Sequence, residues 1–506
     1  MKSGLHRSSG GATCDVAVIG AGFGGLAAAL SLAERGARVV LCEALRYPGG
    51  CASTFTRRGA SFEAGATLFS GLADDQLFGK WIRAHQMPVS IDWLDPVVEL
   101  RTPDLTLAIP PRREDLIDTL AALPGAPAPE LRAFFERQRK VADALWSLFD
   151  DPSLLPPFTA SALGRHALSA PRYLALLPLL GRPLLDVLRA HRVDAFPPLR
   201  AYLDAVCQIT VQCGAAEAEA PFAMAAMDYY FRGTGHIRGG IGALALGLAD
   251  ALRRAGGEVL FANAVRAVRP EGERFRVETR KGEILARAVV ANVLPHGARA
   301  LLGLREGERP ELDDLAAEVE RGWGAAMLYL IARPPEGAGP SAKHIEMIDD
   351  PAAPLIEGNH LFASVSGSGE ADEGRAPPGH RTITVSTHVP LAALRAKPEA
   401  EQAAYIAAVQ GRMKSVFERR APAWWSGVTR VETASPRTFE RFTGRFGGYV
   451  GGVPRRAGLG NYRRLGPSPV VPGFYLVGDS VFPGQSTLAV AIGGVRTAER
   501  LVKELR

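Results

Sequence analysis

A chain of 506 residues exceeds what one hydrophobic core serves, so two or three lobes are expected, and 47% apolar residues supply ample core material. The net charge of +6 comes with no Lys/Arg run and no aromatic-basic patch, which excludes a nucleic-acid partner and leaves general solubility or attraction to anionic lipid. Cys14, Cys42, Cys51, Cys207 and Cys213 have no paired metal spacing and are odd in number; they read as reduced thiols of a cytoplasmic protein with no metal site and no disulfide framework.

In chain order, residues 1–13 carry Lys2 and Arg7 without an apolar h-region and read as a leader rather than a signal peptide. No run of 18 or more apolar residues occurs anywhere, so no membrane span is expected. Asp15-Val-Ala-Val-Ile19 is the apolar run of a buried parallel strand. Gly20-Ala-Gly22-Phe-Gly-Gly25 follows, then a helix at 26–34, a turn at Arg35-Gly36, a second strand at 37–42 and Glu43 at its tip. This order is that of a dinucleotide site: Gly20 permits the turn, Gly22 lets main chain approach a pyrophosphate, and Gly25 lets helix and strand pack closely. The helix N-terminus offers N–H groups and a positive dipole end to phosphate, and Glu43 offers acceptors to a ribose diol.

Behind the acid, Arg46-Tyr-Pro-Gly49-Gly50-Cys-Ala-Ser53-Thr54 again suits main chain laid against phosphate or ribityl oxygens. Phe62-Glu63-Ala64-Gly65-Ala66-Thr67 offers small residues where a flat ring could reach the backbone. From 112 to 220 the pattern changes to proline-punctuated helices at 114–123 and 130–149, then the Leu-rich stretch 163–191 with Arg165, Arg172, Arg182 and Arg189. That stretch is too short and too broken by Pro171, Pro178 and Pro183 to span a bilayer. It is apolar and basic enough to lie on one, or to line an apolar cavity.

Gly240-x-Gly242-x-x-Ala245 copies the glycine fingerprint, yet no buried strand is expected before it and Asn263, not an acid, follows the strand at 258–262. It reads as the start of a helix at 243–254 and not as a second nucleotide site. Strands are expected at 274–279 and 283–291, a helix at 311–321, strands at 325–331 and 381–388, and a helix at 399–417. Near the C-terminus, a strand at 473–477 ends in Gly478-Asp479-Ser480, then Val481-Phe-Pro-Gly484-Gln485-Ser486-Thr487 leads into an apolar helix at 488–505. Such a helix would aim its N-terminal dipole at negative charge developing on a reduced flavin.

Together, residues 18–29, 43–54, 62–67, the Arg238-Gly-Gly-Ile-Gly-Ala243 segment and residues 478–494 resemble the phytoene desaturase and carotenoid (prolycopene) isomerase branch of the FAD-dependent amine oxidase superfamily. Val477-Gly-Asp-Ser-Val-Phe-Pro-Gly-Gln-Ser-Thr-Leu-Ala-Val-Ala491 is most similar to the prolycopene isomerase and retinol saturase members, and Ser435-Pro-Arg-Thr438 also resembles a segment of those isomerases. Residues 115–220 match in character only.

The resemblance implies an α/β fold with a Rossmann-like, glutathione-reductase-type FAD-binding domain and a discontinuous substrate domain of mixed sheet plus helices. The expected segments are 14–111, 226–299 and 441–506 for the FAD-binding domain, 112–225 for a helical lobe and 300–440 for the substrate sheet. It further implies an FAD-dependent oxidoreductase acting on a long apolar polyene, cytoplasmic or peripheral on the cytoplasmic membrane face, with a diffusible electron acceptor such as oxygen or a quinone.

By motif, Gly20, Gly22 and Gly25 would hold the pyrophosphate and Glu43 the adenosine ribose. Arg46, Gly50, Thr54 and Thr67 would line the FAD, and Val265 would meet adenine through its backbone. Gly478, Asp479 and Thr487 would hold the ribityl chain and ring edge, with Gly49, Gly65 and Gln485 in the same cofactor-facing loops. Desaturation, cis–trans isomerisation and retinol-saturase-like reduction all fit such a site. A polyamine or amino-acid oxidase, and a non-catalytic lipid carrier such as the Rab GDP-dissociation inhibitors, are the alternatives. Glu63, His236, Arg238, His388 and Arg437 are polar candidates near the flavin by position alone, and none is assigned a catalytic role.

Overall fold

A computed structural model describes residues 12–506 of the chain. The expected leader lies outside the described residues except for its end, where Ala12 and Thr13 already belong to the first strand, Ala12–Ile19. That strand sits between Val39–Cys42 and Gly282–Ala291, parallel to both, in an eight-stranded sheet. Val16, Ala17 and Val18 are fully buried, as a parallel strand covered on both faces requires. Phe474–Leu476 adds in parallel to Gly282–Ala291, and Glu258–Leu260 adds in parallel to Val39–Cys42. The remaining strands are antiparallel: Val265–Glu271 and Arg274–Thr279 at one edge, and Pro469–Val471 beside Phe474–Leu476.

The helix Phe23–Glu34 starts three residues earlier than its sequence suggests and is buried from Phe23 to Ala33. It is wedged between the sheet, the helix Gly242–Arg254 and the helix Thr487–Leu505. The last contact is backbone-close: a Cβ at Gly494 would strike the Gly24 carbonyl oxygen. The two ends of the described chain therefore pack directly together.

A second, seven-stranded sheet runs in the order Val428–Ala434, Trp323–Ala332, Arg381–Pro390, His360–Val365, Lys343–Ile348, Val98–Arg101, Thr106–Ile109. The last two strands lie before residue 111, so the expected first FAD-binding segment, 14–111, is corrected: its end belongs to this second sheet. Period-two alternation splits this sheet into two faces. Leu328, Leu330, Ile345, Met347, Ile383 and Val385 pack in one core with Met413, Val416 and Phe417 of the helix Glu399–Arg420. The opposite face carries Met327, Tyr329, Phe362, Thr384, Ser386 and His388, with Met327 and Phe362 both paired to Ser386.

A third core belongs to the helices Ala128–Asp150, Pro197–Thr210 and Ala220–Ala226, centred on Phe134, Tyr202 and Met224. The Leu-rich stretch forms the helices Ala160–Tyr173 and Leu184–Ala190. Contrary to expectation, a buried strand, Gly235–Ile237, does precede the Gly240 segment. It pairs antiparallel with Ile91–Trp93, away from the nucleotide-type sheet. The start of the following helix is occupied by protein groups: Gly242 N–H donates to Thr54 Oγ1 at 2.9 Å and Ile241 N–H to Glu63 Oε1 at 3.3 Å.

A buried ionic brace joins the two sheets' surroundings. Arg375 donates to Glu63 at 2.7 Å and to Glu370 at 2.6 Å, and His236 Nε2 lies 3.0 Å from Glu370. Burial alone would raise the Glu370 carboxyl; the His236 hydrogen bond and the Arg375 charge overcome it and hold the group at about 2.

Candidate functional site

Four parallel strands release the chain at one edge: into Gly20, Glu43, Asn292 and, one residue further on, Gly478. A cleft of about 580 Å³ opens there, outside the carboxyl ends of the strands, where open α/β sheets bind ligands. It continues from the glycine loops to the polar-bearing face of the second sheet, with Met327, Phe362, Ser386 and His388 in its floor and Leu68, Ile209 and Tyr229 in its walls.

At the nucleotide end, Gly20 takes φ +90°, a left-handed conformation that a side chain would strain, and Gly478 takes φ +112°. Gly22 forms a parallel bridge with Gly49, bringing both glycine segments together. The helix Phe23–Glu34 has no side-chain cap at Gly22, so its first N–H groups face the cleft without an intrahelical partner. Gly25 does not line the cleft; a Cβ there would collide with the Gly20 carbonyl oxygen, which makes its role one of packing. Glu43 accepts from Ala21 N–H at 2.7 Å and Leu45 N–H at 2.8 Å, leaving a lone pair on each oxygen. Burial pushes its carboxyl up, and the backbone bonds from Leu45 and Ala21 pull part of the way back.

At the other end of the cleft's polar wall, Asp479 is gripped by Arg445, and Gln485 donates to the Val453 carbonyl. Burial works against the Arg445 charge, and Asp479 more than restores it. The Ser486 hydroxyl caps the helix Thr487–Leu505 by accepting from Ala489 N–H at 3.0 Å. Thr487 lines the cleft, and its buried hydroxyl has no partner among the described residues.

Of the residues singled out in the sequence, Gly20, Gly22, Glu43, Gly49, Gly50, Gly65, Thr67, Val265, Gly478, Asp479, Gln485 and Thr487 line this one cleft. Arg46 is exposed outside it, and Thr54 is turned to Gly242. Both positions differ from those the motif implies, because the turn after Glu43 points Arg46 to solvent and the strand Thr54–Arg57 carries Thr54 to the start of the helix Gly242–Arg254. Among the five polar candidates only His388 lines the cleft. Glu63 and His236 are held in the ionic brace, Arg238 pairs with Glu373, and Arg437 pairs with Glu399 at the surface. Burial, helped by the neighbouring His360, pushes His388 down to about 3, so its ring is neutral.

Asn292 and Arg445 are polar cleft residues that the sequence does not single out. Asn292 follows the strand Gly282–Ala291, and its amide fills the space between the glycine segments: a Cβ at Gly22 would strike it, and one at Gly478 would come within 2.7 Å. An Asn closing a parallel strand beside a glycine loop is a usable signal. Arg445 follows the helix Pro436–Thr443, and nothing local marks it.

The residues fit FAD. An uncapped helix start, a glycine cradle with no room for side chains, an acid with spare acceptors and an orphaned Thr487 hydroxyl are the complementary groups of a pyrophosphate, a ribose and a flavin edge.

The family profile described as flavin containing amine oxidoreductase matches residues 23–502. Prolycopene isomerase of Arabidopsis thaliana is 26% identical over 99% of this chain and 85% of its own. Hydroxyneurosporene desaturase of Cereibacter sphaeroides is 27% identical over 97% of this chain and 98% of its own. Among solved structures, an oxidoreductase from Methanosarcina mazei superimposes with a TM-score of 0.61 at 17% identity, covering 96% of this chain and 100% of that one, a likeness of fold.

Proposed function

The chain belongs to the flavin-containing amine oxidoreductase family, and from that premise we propose that it is an FAD-dependent oxidoreductase acting on a long apolar polyene by cis–trans isomerisation or desaturation. The observation that carries this reading is the continuity of the cleft, from glycine loops at one end to a floor of Met327 and Phe362 at the other. The compounds in the names of the two relatives above, prolycopene and hydroxyneurosporene, are polyenes, which supports the substrate class.

In this assignment Gly20, Gly22 and the open helix start hold the pyrophosphate while Gly25 keeps helix and strand close. Glu43 accepts from the adenosine ribose and Val265 meets adenine through its backbone. Gly49, Gly50, Gly65 and Thr67 would line the flavin half, Gly478 and Asp479 would hold the ribityl chain, and Gln485 shapes the loop. When bound, FAD supplies a reversible two-electron store beside the polyene. The Thr487 hydroxyl and the N-terminal end of its helix stabilise negative charge at the ring edge. Arg445 fixes Asp479 and adds positive potential. Leu68, Ile209, Met327 and Phe362 exclude water from the polyene. His388, neutral, offers one ring nitrogen as acceptor and the other as donor on the floor.

The electron acceptor is proposed to be diffusible, because the second glycine segment has its helix start filled by Thr54 and Glu63. A peripheral position on a cytoplasmic membrane face is also proposed. Among the described residues no helix is long and apolar enough to cross a membrane. Phe158, Leu163, Leu168, Leu174 and Leu177 are each at least half exposed in one segment, with Arg165 and Arg172 beside them. Clustered exposed leucines flanked by arginines suit an anionic lipid surface, from which an apolar substrate can pass to the cleft.

The test is incubation of the purified, flavin-bound protein with phytoene, neurosporene, cis-lycopene and retinol, the flavin oxidised or reduced, with products resolved by chromatography and mass. Unchanged mass identifies isomerisation, loss of two hydrogens desaturation, and gain of two a retinol-saturase-like reduction. Colourless protein that refuses FAD and turns over none of them overturns the reading in favour of the carrier.

A further inference from the structure

Behind the loop that bears Asp479 lies a second cavity of about 580 Å³, separate from the cofactor cleft. Its walls come from the helix Pro310–Glu320, the stretch 453–470, the loop 480–483 and one side of the helix Thr487–Leu505. Much of the lining is apolar, with Leu312, Leu315, Val453 and Phe482 among it.

Its charges are not evenly matched. Arg464 pairs with Glu318 at 3.0 Å, Arg496 is spent on the Leu155 and Pro157 carbonyls and on Glu499, and Glu308 pairs with Arg305. Arg309 and Glu311 are solvated at the rim. Arg455 is different. It is 8% exposed and has no carboxylate within salt-bridge distance among the described residues. Its side chain makes one hydrogen bond, Nη2 to the Pro483 carbonyl at 3.2 Å, and lies over the Phe222 ring. The acids whose charge reaches it from further off are Glu318, which is paired with Arg464, and Glu219, which is committed to Gly181, Phe222 and Tyr462. In the same lining, Ser480 is 6% exposed and its buried hydroxyl has no partner among the described residues. Buried charges in proteins are paired, and buried hydroxyls are bonded. A guanidinium without a counter-ion and a buried hydroxyl without a partner, both in the lining of one cavity, are the complement of an anion.

We propose that this second cavity binds an amphiphile with one anionic head group, a carboxylate or a phosphate, its head on Arg455 and Ser480 and its apolar tail along Leu312, Leu315, Val453 and Phe482. The shared wall makes the site more than storage. Asp479, Gln485 and Thr487 face the cofactor cleft, whereas Ser480, Val481, Phe482 and Pro483 face the cavity, so one loop touches both ligands. A Cβ at Gly484, within that loop, would come 2.9 Å from Arg455 Nη2. An amphiphile seated here presses on the loop that holds the flavin from the opposite side.

The test is calorimetric titration of the flavin-bound protein with laurate, dodecyl phosphate, dodecanol and inorganic phosphate, each below any micelle-forming concentration, while the flavin absorption band is followed. The expected result is one site for laurate or dodecyl phosphate, with dodecanol and inorganic phosphate each at least about 10-fold weaker, and a shift of the flavin band on binding. Whichever of the two anions binds more tightly names the head group. Arg455→Met should reduce the anion's affinity to that of dodecanol, and Arg455→Lys should keep most of it. Equal binding of anion and alcohol by the unaltered protein, inorganic phosphate as tight as the amphiphile, or anion binding untouched by Arg455→Met overturns the proposal. The ligand comparison decides it even if Arg455→Met fails to fold.

Discussion

Arg445 places Nη2 2.8 Å from one carboxylate oxygen of Asp479 and 3.0 Å from the other, inside the cleft wall and with both side chains less than a fifth exposed. The Gly-Asp sequence alone suggests an acid free to bond a cofactor hydroxyl; the structure gives that acid a fixed counter-charge and so a fixed position. Removing one partner of a buried pair leaves the other uncompensated, at about 3 kcal/mol. Arg445→Met is therefore expected to lower both denaturant stability and FAD affinity, the latter by at least about 10-fold. In a double-mutant cycle with Asp479→Asn the two losses should overlap by about 1–3 kcal/mol. Additive losses, read by unfolding and by titration of apoprotein with FAD, would show that the pair does not act as a unit.

Gly22→Ala and Gly25→Ala should fail differently, because of what each new methyl meets. At Gly22 it strikes the end of the Asn292 side chain, which can swing away; at Gly25 it strikes the backbone oxygen of Gly20, which cannot. Gly22→Ala is expected to fold within about 1 kcal/mol of the parent and to purify with much less flavin. Gly25→Ala should lose several degrees of melting temperature even when saturated with FAD. Equal stability of the two apoproteins would contradict this ordering.

Acid sensitivity should begin well above the carboxylate range. Burial, reinforced by His236, pushes His344 down to about 3, and neither of its ring nitrogens has a partner among the described residues; His388 is pushed to a similar value. A histidine whose folded value is depressed stabilises the fold fully above its unfolded value near 6.5 and loses that contribution as pH falls toward 3, because the unfolded chain takes up the proton first. Each such group then costs about 1.4 kcal/mol per pH unit. Between pH 6.5 and 5.0, His344→Leu should flatten the fall in unfolding free energy by about 2 kcal/mol. An unchanged slope would remove His344 from the account.

Leu168 is 85% exposed and Leu177 60% exposed. Replacing both with Ser should reduce co-sedimentation with vesicles containing anionic phospholipid by at least about 10-fold, since each buried leucine contributes about 1.5–3 kcal/mol. Flavin content and melting temperature should stay the same, because neither side chain belongs to a core. Vesicle binding that survives the double replacement would locate the lipid-facing surface elsewhere.

The glycine-loop end of the molecule was legible because its signals are local: Ala12 to Glu43 is one strand–turn–helix–strand unit, and Phe474 to Leu505 is a strand–loop–helix unit. The seven-stranded sheet was legible only where the pattern was long, as alternation in Arg381–Pro390 and as a continuous apolar run in Trp323–Ala332. Lys343–Ile348 and His360–Val365 were missed because each has six residues, and His344, Glu346, His360 and Ser364 sit on the interior face where apolar residues are expected. The boundary at 111 failed for a related reason. Val98–Arg101 pairs with Lys343–Ile348 across some 245 positions, and nothing local records that partnership. Arg445 and Asp479 are likewise partners only in three dimensions.

The contact of Gly24 with Gly494, seconded by the Arg35–Glu499 ion pair between residues 464 positions apart, has a bearing on biosynthesis. A ribosome delivers Arg35 464 residues before Glu499, so throughout that interval the side of Phe23–Glu34 that will meet Thr487–Leu505 has nothing to lie against. Cofactor capture is thus deferred until that helix has been made, and products terminated before it would emerge colourless, sticky and in need of chaperones.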